Sequence, residues 1–218
     1  LRPWERREQA WDLSSGGLDA FGFSPNLFFD GQAYRVDCSF LQQDGVSKFR
    51  ISFREKEAEL GELKLTGKFI DRLVLAGARQ NAARIPGRKQ PPEKPAVFTV
   101  VLDHPEPVVK VPVGEYAQCQ VSLKSGEVSA HYQADYAGSL PAVNIVASGT
   151  NLAVLAAGGP LTNSVIAQPN GQNLGLTYRL LGAGGVSYQL SRQDRSHPPR
   201  FVVYKGGKTF HSGQFEFG

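Results

Sequence analysis

The sequence predicts an all-β protein built as two antiparallel β-sandwich domains in tandem. Two observations carry this. Apolar and polar residues alternate with period 2 along most of the chain, and turn residues interrupt the alternation at short intervals. The 24 glycines and 14 prolines among 218 residues call for many chain reversals, which suits short strands better than long helices. Hydrophobic content of 41% and charge of 20% place the chain among folded proteins rather than disordered ones.

Residues 1–20 are open to two descriptions. Pro3 followed by Trp4, Glu5, Arg6 and Arg7 suits a short helix with proline at its first position, with Trp4 and Trp11 on one face. The same stretch suits an extended arm laid on the first domain, residues 21–136. From Gln32 onward the period is 2. Tyr34, Val36, Cys38 and Phe40 face one way, and Arg35, Asp37 and Ser39 the other. Asp44-Gly45 turns the chain into a return strand with Phe49, Ile51 and Phe53 expected inside. Strands are then expected at Leu63–Leu65, Phe69–Leu75, Val97–Leu102, Val108–Val113, Tyr116–Leu123 and Val128–Tyr132.

The second domain is expected over residues 137–218, joined near Ala137-Gly138-Ser139. Its strands are expected at Ala142–Ala147, Leu152–Ala156, Thr162–Gln168, Leu174–Leu180, Val186–Leu190, Phe201–Tyr204 and Thr209–Phe217. Pro169-Asn170-Gly171 marks one turn, and Gly206-Gly207 suits a type I′ hairpin. Seven short strands at this spacing match an immunoglobulin-like sandwich. In the first domain, Val111-Pro112-Val113-Gly114-Glu115-Tyr116 resembles the V-P-x-G-x-Y turn of transthyretin-like and carboxypeptidase-regulatory-like sandwiches. That resemblance covers six residues. It implies a turn that feeds a strand beginning with an inward aromatic, and it carries no activity.

Charge is unevenly spread. Between Ala76 and Pro95 stand Arg79, Arg84, Arg88, Lys89 and Lys94 against Glu93 alone, which accounts for the whole formal charge of +4. This segment reads as a solvated loop that could contact a polyanion. No aromatics are interleaved to stack bases, so a nucleic-acid partner is not expected. From Tyr136 through Tyr178 there is no Lys, Arg, Asp or Glu. So neutral a surface suits an extracytoplasmic setting (periplasmic, secreted or surface-anchored) or contact with a neighbouring domain. The chain opens at Leu1 and has no Met, so an export signal removed by processing would leave no trace in it. No apolar run approaches the ~20 residues of a membrane-spanning helix.

Catalytic templates find no match. There is no G-x-S-x-G elbow and no phosphate-binding loop ahead of a helix. His104, His131, His197 and His211 form no metal-binding spacing, so neither a cofactor nor a metal is expected. Carboxylates cluster at Glu55, Glu57, Glu59 and Glu62. Strand alternation would point Glu55, Glu57 and Glu59 the same way, as for calcium or paired acids, but with Lys56 among them the favoured reading is a solvated, charged strand edge. Cys38 and Cys119 both fall on apolar strand positions. They are compatible with a bridge across the core or with two buried thiols. The expectation is therefore a non-catalytic, exported structural or interaction protein with an unknown protein or glycan partner. The alternative is a carbohydrate-binding module using Trp4, Trp11, Tyr132 and Tyr136.

Overall fold

The computed structural model describes residues 25–43, 46–77, 98–132, 140–147, 152–191 and 198–215, with 38–43 and 46–49 described by their backbone alone. The N-terminal stretch 1–20, the basic segment holding Arg79, Arg84, Arg88, Lys89 and Lys94, and Tyr136 lie outside the described residues.

The described residues are all strand and connection, apart from a 3₁₀ turn at Ala183–Gly185. The first half gives β1 (Asn26–Phe29), β2 (Gln32–Gln43), β3 (Val46–Glu55), β4 (Leu60–Leu65), β5 (Ile70–Gly77), β6 (Phe98–Asp103), β7 (Val108–Pro112), β8 (Gly114–Ser125) and β9 (Val128–Tyr132). The second gives β10 (Val143–Ile145), β11 (Ala153–Leu155), β12 (Thr162–Asn170), β13 (Asn173–Leu181), β14 (Ser187–Leu190), β15 (Arg200–Lys205) and β16 (Lys208–Gln214).

One long sheet runs in the order β12-β13-β14-β9-β8-β5-β6-β1-β2-β3, with β10 added to β8. A second sheet, β11-β4-β7, has three strands, and β15 pairs with β16 alone. Pairing is antiparallel except for β1 with β6 and β11 with β4. The core forms between the two larger sheets. Leu63 and Leu65 of β4, Val111 of β7 and Leu155 of β11 pack in one cluster with Leu73 and Leu75 of β5, Val100 of β6, and Val121 and Leu123 of β8. Each such aliphatic side chain contributes roughly 1.5–3 kcal/mol by leaving water. Alternate residues face outward, where Arg72 and Asp103 sit opposite one another on β5 and β6 and pair through Arg72 Nη2 and Asp103 Oδ2 at 3.0 Å. That contact raises the Arg72 pKa further.

The long sheet crosses the boundary expected near residues 134–141. β10 pairs with β8, β14 with β9, and β11 with β4, so strands from both halves share both sheets. This is not the strand pairing of two separate sandwiches. The loss of charge after Tyr136 has a different physical cause in its first part. Leu140, Val143, Ile145, Leu155 and Ala157 are all buried, so this stretch is core that ties the two sheets together. Its backbone lies so close to the loop after β4 that a Cβ added at Gly67 would stand 2.0 Å from the Ala157 carbonyl oxygen.

Two local expectations hold, while Asp44-Gly45 lies outside the described residues and the turn expected at Pro169-Asn170-Gly171 falls instead at Gly171-Gln172, with Pro169 and Asn170 in β12. Lys205 pairs with Lys208 around Gly206 (φ +58°) and Gly207 (φ +76°), the two positive φ angles of a type I′ turn. Tyr116 points inward, 2% exposed, and its hydroxyl donates to the Pro112 carbonyl at 2.8 Å. The V-P-x-G-x-Y segment thus carries the chain from the small sheet to the long one and locks the corner with its own aromatic.

Candidate functional site

Positions singled out for chemistry do not converge. Glu55 ends β3, and Lys56 to Glu59 form a connection rather than a strand, so the acidic residues lose the common face that alternation would give them. Among the described residues, no three of His, Cys, Asp and Glu come together as a metal site. His104 is exposed at a positive φ of 49°, its Nε2 3.1 Å from Asp71 Oδ1. His131 and His211 are exposed on strands, and His197 lies outside the described residues.

Cys119 is a free thiol. Burial pushes its pKa up to about 12, which keeps it protonated and unreactive near neutral pH. Cys38 stands on β2, four strand steps from β8 in the same sheet, or about 19 Å along a flat sheet. Its side chain lies outside the described ones. Tyr132 is half-buried rather than offered to a sugar. Its hydroxyl accepts the Leu140 N–H at 3.0 Å, and its ring meets Tyr188 edge-on at 6.5 Å.

A groove of about 500 Å³ opens where the β1–β2 turn meets the β3–β4 connection, over Phe28, Ala33 and Leu60, with Glu55 and Glu57 at its rim. Lys56 lies along it half-buried, its Nζ donating to Asn26 Oδ1 at 3.0 Å and standing 5.3 Å from the Phe98 ring centroid. The cation is thus turned onto the protein. The groove brings together neither a nucleophile with a base nor an array of donors for an oxyanion.

The more distinctive feature is a set of two-stranded ribbons standing beyond the shared part of the long sheet. β1 pairs with β2 only over Gln32–Arg35, so most of the β2–β3 hairpin has no third strand among the described residues. At the opposite end β14 pairs with β13 at Leu180 and Leu181, which leaves most of the β12–β13 hairpin without a third strand among the described residues. β15–β16 is a third ribbon. It is held to the base of β12–β13 by Phe215, whose ring lies 5.1 Å from Phe201 and 5.5 Å from Tyr178. Tyr178 in turn donates to Asn163 Oδ1 at 2.7 Å.

Large apolar side chains stay exposed on all three ribbons. They are Ile51 and Phe53 on β3, Val165 (47% exposed) and Leu174 (51%) on β12–β13, and Tyr204 and Phe210 (70%) on β15–β16. The expectation that Ile51 and Phe53 lie inside is therefore corrected. The alternation is present, but among the described residues no second sheet lies over that part of the ribbon. The ribbons differ electrostatically. On β2–β3, Arg54 donates to Asp37 Oδ2 at 2.6 and 2.9 Å and Arg35 to Oδ1 at 3.3 Å, which holds the Asp37 carboxyl below its usual range. The β12–β13 ribbon has no charged residue from Thr162 through Tyr178.

Composition had flagged the neutral stretch, but strand pairing was needed to turn part of it into a protruding arm. No family model, curated protein or solved structure matches this chain. No helix among the described residues is long and apolar enough to cross a membrane.

Proposed function

We propose that the chain is a non-catalytic, exported structural or interaction protein of the cell envelope or cell surface, which makes its contacts through its ribbons. The observation that carries this is the exposure of Ile51, Phe53, Val165, Leu174, Tyr204 and Phe210 on elements that have no third strand along most of their length among the described residues. A lone two-stranded ribbon is marginal in water, so such elements gain stability when something pairs with or covers them. The uncharged arm supports export, because cytoplasmic surfaces rely on charge for solubility. The test is photo-cross-linking from positions 53, 165, 174 and 210 in the native cell, with Lys124 and Glu62 as controls, combined with fractionation. A discrete partner reached from ribbon positions in the envelope or medium is expected. A cytoplasmic protein, or equal labelling from the controls, would overturn the proposal.

A glycan partner is the second reading, favoured by Tyr204 and Phe210. These rings are the most exposed of the large hydrophobic residues described and offer apolar faces to the C–H side of a sugar. Lys205 Nζ already lies 5.9 Å from the Phe210 ring centroid. Glycan binding that survives Tyr204→Ala with Phe210→Ala would exclude this hairpin as the site.

A further inference from the structure

We propose that β12 is a docking edge for a second copy of this chain, with the two β12 strands pairing antiparallel across a two-fold axis at Val165. The inference rests on the interaction reading above and names its surface and occupant.

Hydrogen-bond phase comes first. Asn170 and Asn173 close a two-residue turn at Gly171-Gln172, with Gly171 at φ +59°. The residues that close such a turn exchange both backbone bonds with each other, and the pattern alternates from there. Ser164, Ile166 and Gln168 therefore bond toward β13, while Asn163, Val165 and Ala167 direct their N–H and C=O groups away from it. Pro169 occupies the next outward position, where its lack of an N–H removes no bond to β13.

Self-pairing satisfies these groups. With Val165 opposite Val165 of the second copy, Asn163 falls opposite Ala167 and each pair exchanges two backbone bonds. Val165, Ala167, Leu174, Leu176 and Tyr178 share one face of the ribbon by register. Two marginal ribbons become a four-stranded sheet with a continuous apolar face, the size at which such sheets hold by themselves.

Charge selects the second copy. A strand paired with itself across a two-fold brings like residues close, so any charge near the axis meets its own sign. Thr162–Asn170 holds none. Among the described residues the other edge of the long sheet is β3, which carries Lys48, Arg50 and Arg54, the usual protection against edge pairing.

Sedimentation equilibrium of the full chain between about 1 and about 200 µM tests the proposal, since self-association is concentration-dependent. Wild type is expected to dimerise, Val165→Lys to stay monomeric, and Val128→Lys, at an exposed position of β9 outside the ribbons, to dimerise like wild type. Val165 is half exposed, so circular dichroism should show the lysine variant folded. A second readout does not depend on that variant. Val165→Cys should oxidise to a covalent dimer, because paired Cα atoms about 5.5 Å apart accept a disulfide, whereas Leu174→Cys should not. A wild type that remains monomeric throughout, a dimeric Val165→Lys, or dissociation by Val128→Lys instead would overturn the proposal. A monomer that still cross-links to another envelope protein would leave the interaction reading standing without this one.

Discussion

The Tyr188 hydroxyl accepts a hydrogen bond from the Gly158 backbone N–H at 2.7 Å, with both groups buried. This contact joins β14, the third strand from the β12 edge of the long sheet, to the loop that follows β11 in the small one. Tyr188→Phe should leave a buried donor unsatisfied and cost about 1–3 kcal/mol. Tyr116→Phe removes the donor to the Pro112 carbonyl, a group with two lone pairs that tolerates the loss better, at about 1 kcal/mol. Urea titrations of both variants should rank them in that order, and equal midpoints would contradict it.

Backbone packing makes a separate prediction. Gly67→Ala places a methyl 2.0 Å from the Ala157 carbonyl oxygen, and both neighbours are main chain that cannot swing aside. A loss of about 3 kcal/mol or more is expected. Gly206→Ala has open space but a φ of +58°, which costs about 1–2 kcal/mol. Chemical denaturation that shows the turn variant to be the weaker of the two would count against this packing.

Stability should fall on the alkaline side. Burial pushes Cys119 up to about 12 and Tyr188 up to about 12, and raises Tyr116 as well. Each folded value lies above its unfolded one, so the contribution is complete below the unfolded values of about 8.5 for thiol and 10 for phenol, and drains away as pH climbs toward the folded ones. Melting temperatures should hold steady near neutrality and decline from about pH 9. Cys119→Ala should delay the first part of the decline. An unchanged profile in that variant would argue that the thiol is not buried.

Much of the strand inventory was legible in the sequence because half-buried strands advertise themselves by alternation, as in Tyr34-Arg35-Val36-Asp37 or Leu174 through Leu180. The type I′ turn at Gly206-Gly207 was legible from its two glycines, and the inward Tyr116 from the V-P-x-G-x-Y resemblance. β1 was missed because Asn26–Phe29 is too short for a period, although Asp30-Gly31 after it is a turn signal of the kind read elsewhere. Pairing was not legible. Nothing local tells Ala153–Leu155 to lie parallel to Leu63–Leu65, or Asn26–Phe29 to lie parallel to Phe98–Val101. The spacing of seven short strands therefore suggested a second domain, and the neutral composition after Tyr136, read as surface, belongs in its first part to a core-forming segment. The candidate site was the least legible part. Exposure of Ile51 and Val165 depends on where the neighbouring strand ends, and the residues themselves do not encode that.

The parallel union of β11 with β4 joins residues ninety positions apart in the chain. During synthesis, β4 and β7 emerge long before β11 and β14 exist, so Leu63 and Val111 must wait with one flank of their sheet missing. Topologies with such contact order fold slowly and stay vulnerable to aggregation while they do. A fragment ending before Leu140 should accordingly behave as an incomplete nascent chain, prone to capture by chaperones, and the last third of the polypeptide acts as the closing step of folding for the first.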